Sequence, residues 1–473
     1  MFFLKVIMQD VNINIKIFER GFNKAKSYYH DLGIPIIFSY SIECKQKDIL
    51  CLLANNKENK FSVYWDQPSE GFCLAGLGCA FDFEIKKQNN FIKMNKTLFK
   101  TLENSVNISE EISIGPRFFG GHAFNLNLQR DVVWEEMGSG RFFLPECIAT
   151  NKLDRTWLTI SALIDETINF KEALNFFSQK LFSYKNKLCQ KLPLIKNTSV
   201  NEYVNFPSKD SYNDIVLSAL DKIRKGIIKK IVLSRTHKIK VDQNFDVLSA
   251  VQILRNSFPT CTNFLFKFFN NTFFGSTPER LVKKNNSIIN TEALAGTIRR
   301  GKDKKEDTWL VQNFLNNCKE KQEHSFVSRQ LKEKLEKILI NLEISSVPEI
   351  KKLKNLQHLR TPIKGKLNRD MSILDLVQLL HPTAAVAGIP SEDAIFIIDK
   401  LEPFDRGWYS GPIGWIDFNG GGDFFVALRS ALVKDNVAHL FAGGGIVSES
   451  IPLEEWLETE LKLKTIISTL NID

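Results

Sequence analysis

Apolar residues in the second half of the chain recur with two different periods, and the switching between them sets the first expectation for the architecture. Val216, Leu220 and Ile223 share one helical face, and Gly226 ends that helix. The run that follows, 230-KIVLSRTHKIKV-241, reads as a strand. Farther on, Val327, Leu331, Leu335 and Ile338 form one stripe at i, i+4, i+8 and i+11, which predicts a long helix near 306 to 341. A last helix opens on Pro452, a residue suited to the first helical position, with Leu453, Trp456, Leu457 and Leu461 along one side. Before residue 200 the pattern changes: short aromatic runs such as 61-FSVYWDQ-67 and 141-RFFLPECIAT-150 are broken by glycine and asparagine clusters, so this half reads as strand-rich. The polar segment 195-IKNTSVNEYVNFPSKDSYND-214 separates the halves into an amino-terminal lobe, 1–200, and a second lobe, 201–473. Strands, helices and glycine turns alternate without a βαβ rhythm, so the fold class is α+β.

Composition narrows the function more than the fold. A chain of 473 residues with 43% hydrophobic content can bury a large core. Its charge of +9 comes from 63 Lys and Arg against 54 Asp and Glu, but the lysines are scattered and no arginine-rich or aromatic-basic module appears. Nucleic acid is therefore not an expected partner, while a small anion is compatible with the balance. The eight cysteines, at 44, 51, 73, 79, 147, 189, 261 and 318, include no C-x-x-C pair and no zinc-type spacing with histidine. They read as free thiols in a reducing compartment, which places the protein in the cytoplasm. The start, 1-MFFLKVIMQDVN-12, is too short in apolar length for a leader, and no apolar run reaches the roughly 20 residues a membrane helix needs.

Three features carry candidate chemistry. The stretch 441-FAGGGIVSES-450 lacks the lysine of a Walker loop and has Ser448 where a dinucleotide fingerprint needs a third glycine. It reads as a tight strand-to-helix turn that favours a small anion. The apolar stripe of the long helix, extended backward, runs through Glu320 and Glu323. Two carboxylates on a buried face are costly unless paired, protonated or metal-bound, and the alternative is that the helix frays before Val327 and both are solvated. The final helix carries Glu455 and Glu458, followed one turn later by Lys462; they lie mostly opposite its apolar side, so periodicity alone sends them to solvent. If the two pairs converge, they need a hard cation, and oxygen-only ligands suit Mg²⁺.

Ten stretches, in order, then tie the second half of the chain to a known family: 230-KIVLSR-235, 275-GSTPERL-281, 292-EALAGTIRRG-301, 319-KEKQEH-324, 357-QHLRTPIKG-365, 381-HPTAAVAGIP-390, 405-DRGWYSGPIGW-415, 426-VALRS-430, 442-AGGGIV-447 and 455-EWLE-458. Together they resemble the chorismate-utilising enzymes over residues 205 to 470, and 115-GPRFFGGHAF-124 and 141-RFFLP-145 resemble the amino-terminal lobe of the same enzymes. The resemblance implies one large α+β unit, with antiparallel sheets in a sandwich flanked by helices. It implies that Gly443, Gly444 and Gly445 offer backbone amides to a carboxylate of chorismate, and that Arg429 and Lys462 bind its carboxylates. Ala295, Gly296, Thr297 and Thr383 match further substrate positions. Glu320, Glu323, Glu455 and Glu458 match the acidic positions that hold Mg²⁺, with Glu323 and Glu458 as direct ligands and the other two acting partly through water.

Two positions separate members of the family. Lys230 stands where ammonia-adding members carry glutamine and water-adding members carry lysine, so it resembles the general base that activates water for attack at ring carbon 2. A strand-end lysine reaching solvent is the alternative from pattern alone. Ala295 stands where one type of aminodeoxychorismate synthase has a nucleophilic lysine. The 362-PIKG-365 segment belongs to a later motif, so Lys364 is not that nucleophile. Glu279 resembles the general acid that protonates the hydroxyl leaving carbon 4, and His358 resembles the histidine beside the substrate ring. The implied activity is an isomerase that forms isochorismate. Salicylate synthase, which goes on to eliminate pyruvate, uses much the same residues, and the sequence separates the two poorly. Chorismate is then the partner, no obligatory glutaminase subunit is implied, and a monomer is the common state among related synthases.

Overall fold

The computed structural model describes residues 11, 13–54, 59–86, 88–128, 130–192 and 199–470. The first ten residues and residue 12, on which the leader reading rests, and 195–198 of the polar segment lie outside the described residues. All eight cysteines are free, and no described helix is long and apolar enough to cross a membrane.

Nearly continuous burial along aromatic-rich strands such as Phe61–Gln67, Arg117–His122 and Gly140–Leu144 belongs to two sheets that cover each other's apolar faces. The first has 13 strands and runs from the edge strand Val200–Phe206 through Lys230–Val241 and Val437–Ile446 to Val106–Ile108 at the other edge. The second has 10 strands and runs from Leu339–Ile344 through Leu356–Leu367 and Ile288–Arg299 to Phe81–Ile85. Among the described residues only Ile36–Cys44 and Val106–Ile108 pair in parallel. Both sheets join strands from either side of residue 200, as in the pairing of Phe264 with Trp65 and of Ile413 with Gly121. The sandwich core lies where the inner faces meet, with Trp65 edge-on to Phe425, Phe72 tilted on Trp415 and Phe143 edge-on to Phe268. A second core forms on the other side of the larger sheet, where Phe18, Phe22, Phe177 and Leu254 of three helices cover it.

The structure departs from the sequence pattern in three places, each traceable to a contact the pattern does not contain. The expected long helix is two, Lys304–Asn316 and Cys318–Leu335, and Ile338 lies beyond them, just before the strand Leu339–Ile344. Asn317 breaks the run by leaving helical geometry (φ −69°, ψ 119°) and accepting a hydrogen bond from Glu320 N–H. The stripe itself is buried as expected, from Val327 through Ile338. In the last helix, Pro452–Ile467, Leu453 and Leu457 are exposed while Glu455, Thr459, Leu463 and Ile466 are buried. That polar-headed line packs on the Val437–Ile446 strand, and Trp456 packs against Tyr212. Finally, the three glycines do not form a turn. They lie inside the strand Val437–Ile446, in register with Ser234, Leu233 and Val232.

Candidate functional site

The glycine strand explains itself by what a side chain would strike. A Cβ on Gly443 would lie 2.7 Å from Ser234 Oγ, one on Gly445 would lie 2.1 Å from Glu323 Oε1, and one on Gly444 would lie 3.2 Å from Glu455 Oε2. The strand Ser430–Lys434 pairs with it only as far as Phe441, so residues 442–446 have one edge beyond the reach of that neighbour. Ser234 N–H on the partnering strand points away, to Glu402 Oε1 (2.6 Å), and Val232 N–H points away to Ala387 O (2.8 Å). Antiparallel alternation then turns the polar backbone groups of Gly443 and Gly445 toward the open edge. Lys462 Nζ donates to Gly443 O there, at 2.9 Å.

That edge borders a cavity lined by Glu279, Ala295, Gly296, Thr297, Glu323, His358, Arg429, Gly443, Gly445 and Lys462. Lys230, Thr383, Gly444, Glu320, Glu455 and Glu458 are not in this wall. They sit behind it, each in contact with it or with one another. Lys230 is fully buried and pairs with Glu323 at 3.1 Å, so it does not reach solvent. Thr383 donates to Glu279 Oε1 at 3.5 Å. Lys364 is exposed on the strand Leu356–Leu367 and faces a different cleft.

Glu279 enters from a turn at the end of the strand Asn271–Thr277, where Thr277 Oγ1 donates to Val426 O (2.6 Å) and accepts from Glu279 N–H (3.3 Å). Burial, and then the nearby Glu292 carboxylate, push the Glu279 carboxyl up to about 8 against the pull of Lys230, Lys351 and Thr383. It is therefore protonated at neutral pH. His358 Nδ1 is 2.8 Å from Gly296 O, an acceptor only, so Nδ1 carries the proton and Nε2 accepts from Arg429 Nη2 at 3.1 Å. Burial and then the Arg429 charge hold His358 well below the ordinary histidine range, so the ring is neutral. Arg429 itself has a left-handed backbone (φ 48°), and its carbonyl accepts from Ser276 N–H at 3.0 Å. Gly296 is left-handed too (φ 79°), at an irregularity in the pairing of Ile288–Arg299, and a Cβ there would lie 2.9 Å from Glu320 Oε2.

The four expected metal-side carboxylates come from two helices that face each other across the glycine strand. Burial, then Glu323 and Glu458, push Glu320 up; burial and then Glu458 push Glu455 up. Such mutual crowding is relieved by a cation. Lysines hold the carboxylates apart: Lys319 binds Glu455 at 2.7 Å, Lys462 binds Glu458, and Lys230 binds Glu323, while Glu320 takes Thr297 N–H at 3.0 Å. Among the described residues no three His, Cys, Asp or Glu side chains stand together as a ready metal group. The donor set is all oxygen and is cradled by glycines 296, 444 and 445, the chemistry that suits a hard divalent ion.

Arg406, Tyr409 and Ser410 also line the cavity, although sequence reasoning gave them no role. All three lie in 405-DRGWYSGPIGW-415, so the signal was an arginine and a tyrosine within a family stretch. Burial raises Tyr409 to about 12, so it stays a neutral phenol.

The profile of the chorismate binding enzymes matches residues 23–471. The chain is 30% identical to the isochorismate synthase MenF of Bacillus subtilis over 463 residues, which covers 95% of each chain. It is also 30% identical over 455 residues to the salicylate biosynthesis isochorismate synthase of Pseudomonas aeruginosa, covering 96% of this chain and 93% of that protein. Among solved structures, MenF, the menaquinone-specific isochorismate synthase of Escherichia coli, superposes with a TM-score of 0.77 at 25% identity, covering 92% of this chain and 95% of the other.

Proposed function

From the premise that the chain belongs to the chorismate-binding enzymes, we propose that it is an isomerase converting chorismate to isochorismate. The observation that carries this reading is a buried carboxylic acid held protonated, Glu279, and a buried lysine, Lys230, serving one cavity that also contains Arg429 and Lys462. Arg429 and Lys462 receive the substrate's carboxylates, with backbone amides of the glycine strand on the open edge. Lys230 takes a proton from water as the water oxygen bonds to carbon 2. The ring double bonds shift, the bond from carbon 4 to its hydroxyl breaks, and Glu279 supplies the proton that lets it leave as water. One water enters and one departs, so substrate and product are isomers. Neutral His358 fixes the Arg429 guanidinium through its Nε2 acceptor.

Glu323 and Glu458 would hold Mg²⁺ directly, with Glu320 and Glu455 acting partly through water. The ion supplies neutralisation and orientation of a substrate carboxylate. Glu323, one of the carboxylates that would hold the ion, is also the partner of Lys230. We place the protein in the cytoplasm as a monomer acting without a glutaminase subunit or nucleic acid, with 1–200 and 201–473 as its two lobes. The test is chorismate incubated with the protein and Mg²⁺, with and without ammonium, followed by chromatography. Isochorismate accumulates in both, and excess chelator or Glu323→Gln or Glu458→Gln stops it. Anthranilate or aminodeoxychorismate would overturn the reading, rapid salicylate release would replace it with the two-step activity, and undiminished turnover in chelator would remove the metal from it.

A further inference from the structure

The turn that carries Glu279 into the cavity is fastened from behind by a buried ion pair for which the reaction has no direct use. Glu292, on the strand Ile288–Arg299, has a side chain only 4% exposed. Its Oε1 accepts from Lys351 Nζ at 2.8 Å and from Arg280 N–H at 3.3 Å, and its Oε2 accepts from Arg360. Lys351, on the strand Glu349–Lys352, also donates to Pro278 O. Thus the carbonyl just before Glu279 and the amide just after it are each tied to one member of a single ion pair. Such an arrangement fixes the acid's backbone on both sides and places two opposite charges near its carboxyl.

We propose that Glu292 and Lys351 are a positioning pair for Glu279, fixing its approach to the cavity and setting the field in which it keeps its proton. The proposal rests on Glu279 as the general acid. Glu292 acts in favour of the protonated acid, because a second carboxylate beside it would have to share a buried site. Lys351 acts against it. The other groups facing Glu279 are Lys230 from the strand Lys230–Val241, the Arg429 guanidinium and the Thr383 hydroxyl, and none of these touches the Pro278 carbonyl or the Arg280 amide. Glu292 is itself ionised: burial raises it, but Lys351 and Arg360 outweigh burial and hold it below the usual carboxylate range. A pair serving only to join strands could be replaced by apolar side chains without loss of stability. This pair instead meets two backbone groups that an apolar replacement would leave unpaired.

Glutamine at either position removes a charge and keeps hydrogen-bonding atoms within reach, so the full-length variants Glu292→Gln, Lys351→Gln and the double variant form the test. Turnover of chorismate is followed against pH. Glu292→Gln is expected to move the upper limb of the profile to lower pH and Lys351→Gln to higher pH, each by about half a unit or more, with the double variant returning toward the parent. Arg360→Gln removes a cation from the same network without reaching Pro278, and its limb stays in place. Loss of turnover at every pH with the limb unmoved, or two limbs moving the same way, would reduce the pair to scaffold and overturn the proposal. The Glu279 carboxyl is also titrated without substrate, by infrared difference between each protein and its Glu279→Gln counterpart. Opposite shifts there sustain the pair even if the catalytic reading fails, and their absence defeats it whatever the turnover. Should either glutamine variant not fold, Glu292→Asp keeps the charge and shortens the reach; lower turnover with an unmoved limb is expected, and unchanged turnover would defeat the positioning role.

Discussion

Two buried ion pairs that meet the same strand, Lys230–Val241, have opposite characters. Glu402 and Arg406, 2% and 3% exposed, meet at 2.6 Å and 2.7 Å, and each is also tied to the backbone. Glu402 takes Ser234 N–H, while Arg406 donates to Val232 O and Val386 O and lies over the Phe124 ring. Glu323 and Lys230 meet in a single contact of 3.1 Å, beside a glycine strand that gives them room. Burial pushes Glu323 up, but Lys230, Lys462 and Lys319 outweigh it and hold the carboxyl low. A charge whose bonding capacity is filled can only hold its neighbours in place. One with a single partner can change partners, and this is the difference expected between a scaffold pair and one that takes part in a reaction.

The sharpest way to break that distinction is Lys230→Gln. Removing a general base is expected to reduce turnover ~10²–10⁴-fold, while chorismate binding survives on Arg429, Lys462 and the glycine strand. Single-turnover kinetics and equilibrium binding read the two separately; near-normal turnover would make Lys230 scaffold. The counterpart is Glu402→Gln. Stranding Arg406, whose side chain is 3% exposed, should lower stability by about 3–5 kcal/mol in denaturant unfolding, more than Lys230→Gln does, because Glu323 keeps Lys462 and Lys319 nearby. The reverse ranking would refute the comparison.

How much of this was legible in the sequence depended on whether the deciding contact was local. The strands at 61–67 and 230–241 were, because β-branched and aromatic runs state their own period. The helix at Val216 and its end at Gly226 were as well. The roles expected of Glu279 and Arg429 came only through the order of ten family stretches, since singly each is an ordinary charged residue, and the structure brings both, with Lys462, to one cavity. The extended geometry of Gly443 to Gly445 was not legible, because glycine runs favour turns and only Ser234 and Glu323, distant in sequence, and Glu455, on the following helix, show why side chains are excluded. The buried side of the last helix was hidden for a related reason. Its line begins with Glu455 and Thr459, which a hydrophobic period reads as solvent, while Leu453 and Leu457 stay exposed. The break at Asn317 was written in the Asn316–Asn317 pair, but a continuing apolar stripe outweighed it in the pattern.

A smaller effect sharpens the same contrast through pH. A carboxyl raised to about 8 is protonated below that pH and ionised above it, so the proton donor is lost as pH rises. Turnover should fall about tenfold per unit above pH 8 and hold level just below it. Glu279→Asp, which keeps the acid but alters its burial, should move that limb, and Glu402→Gln should leave it in place. An unchanged rate between pH 8 and pH 10 would assign the proton to another group.

The least perturbing change expected is Lys364→Met, and its weakness is informative because the local sequence around Lys364 imitates a nucleophile motif. Lys364 lies on the strand Leu356–Leu367, opposite Asn290 on one side and Glu343 on the other, with its side chain exposed. In a strand the side chains alternate between faces, so Ile363 turns into the core while Lys364 turns out to water. The position that reaches the cavity is Ala295, one strand away, where no amine is present. Removing an exposed cation there should shift stability by less than about 0.5 kcal/mol and leave turnover within about twofold. Denaturant unfolding and initial rates at saturating chorismate are the measurements. A large loss of turnover with stability intact would mean that the strand Leu356–Leu367 delivers a lysine to the reaction, and the contrast drawn between the two ion pairs at Lys230–Val241 would no longer locate the reacting amine.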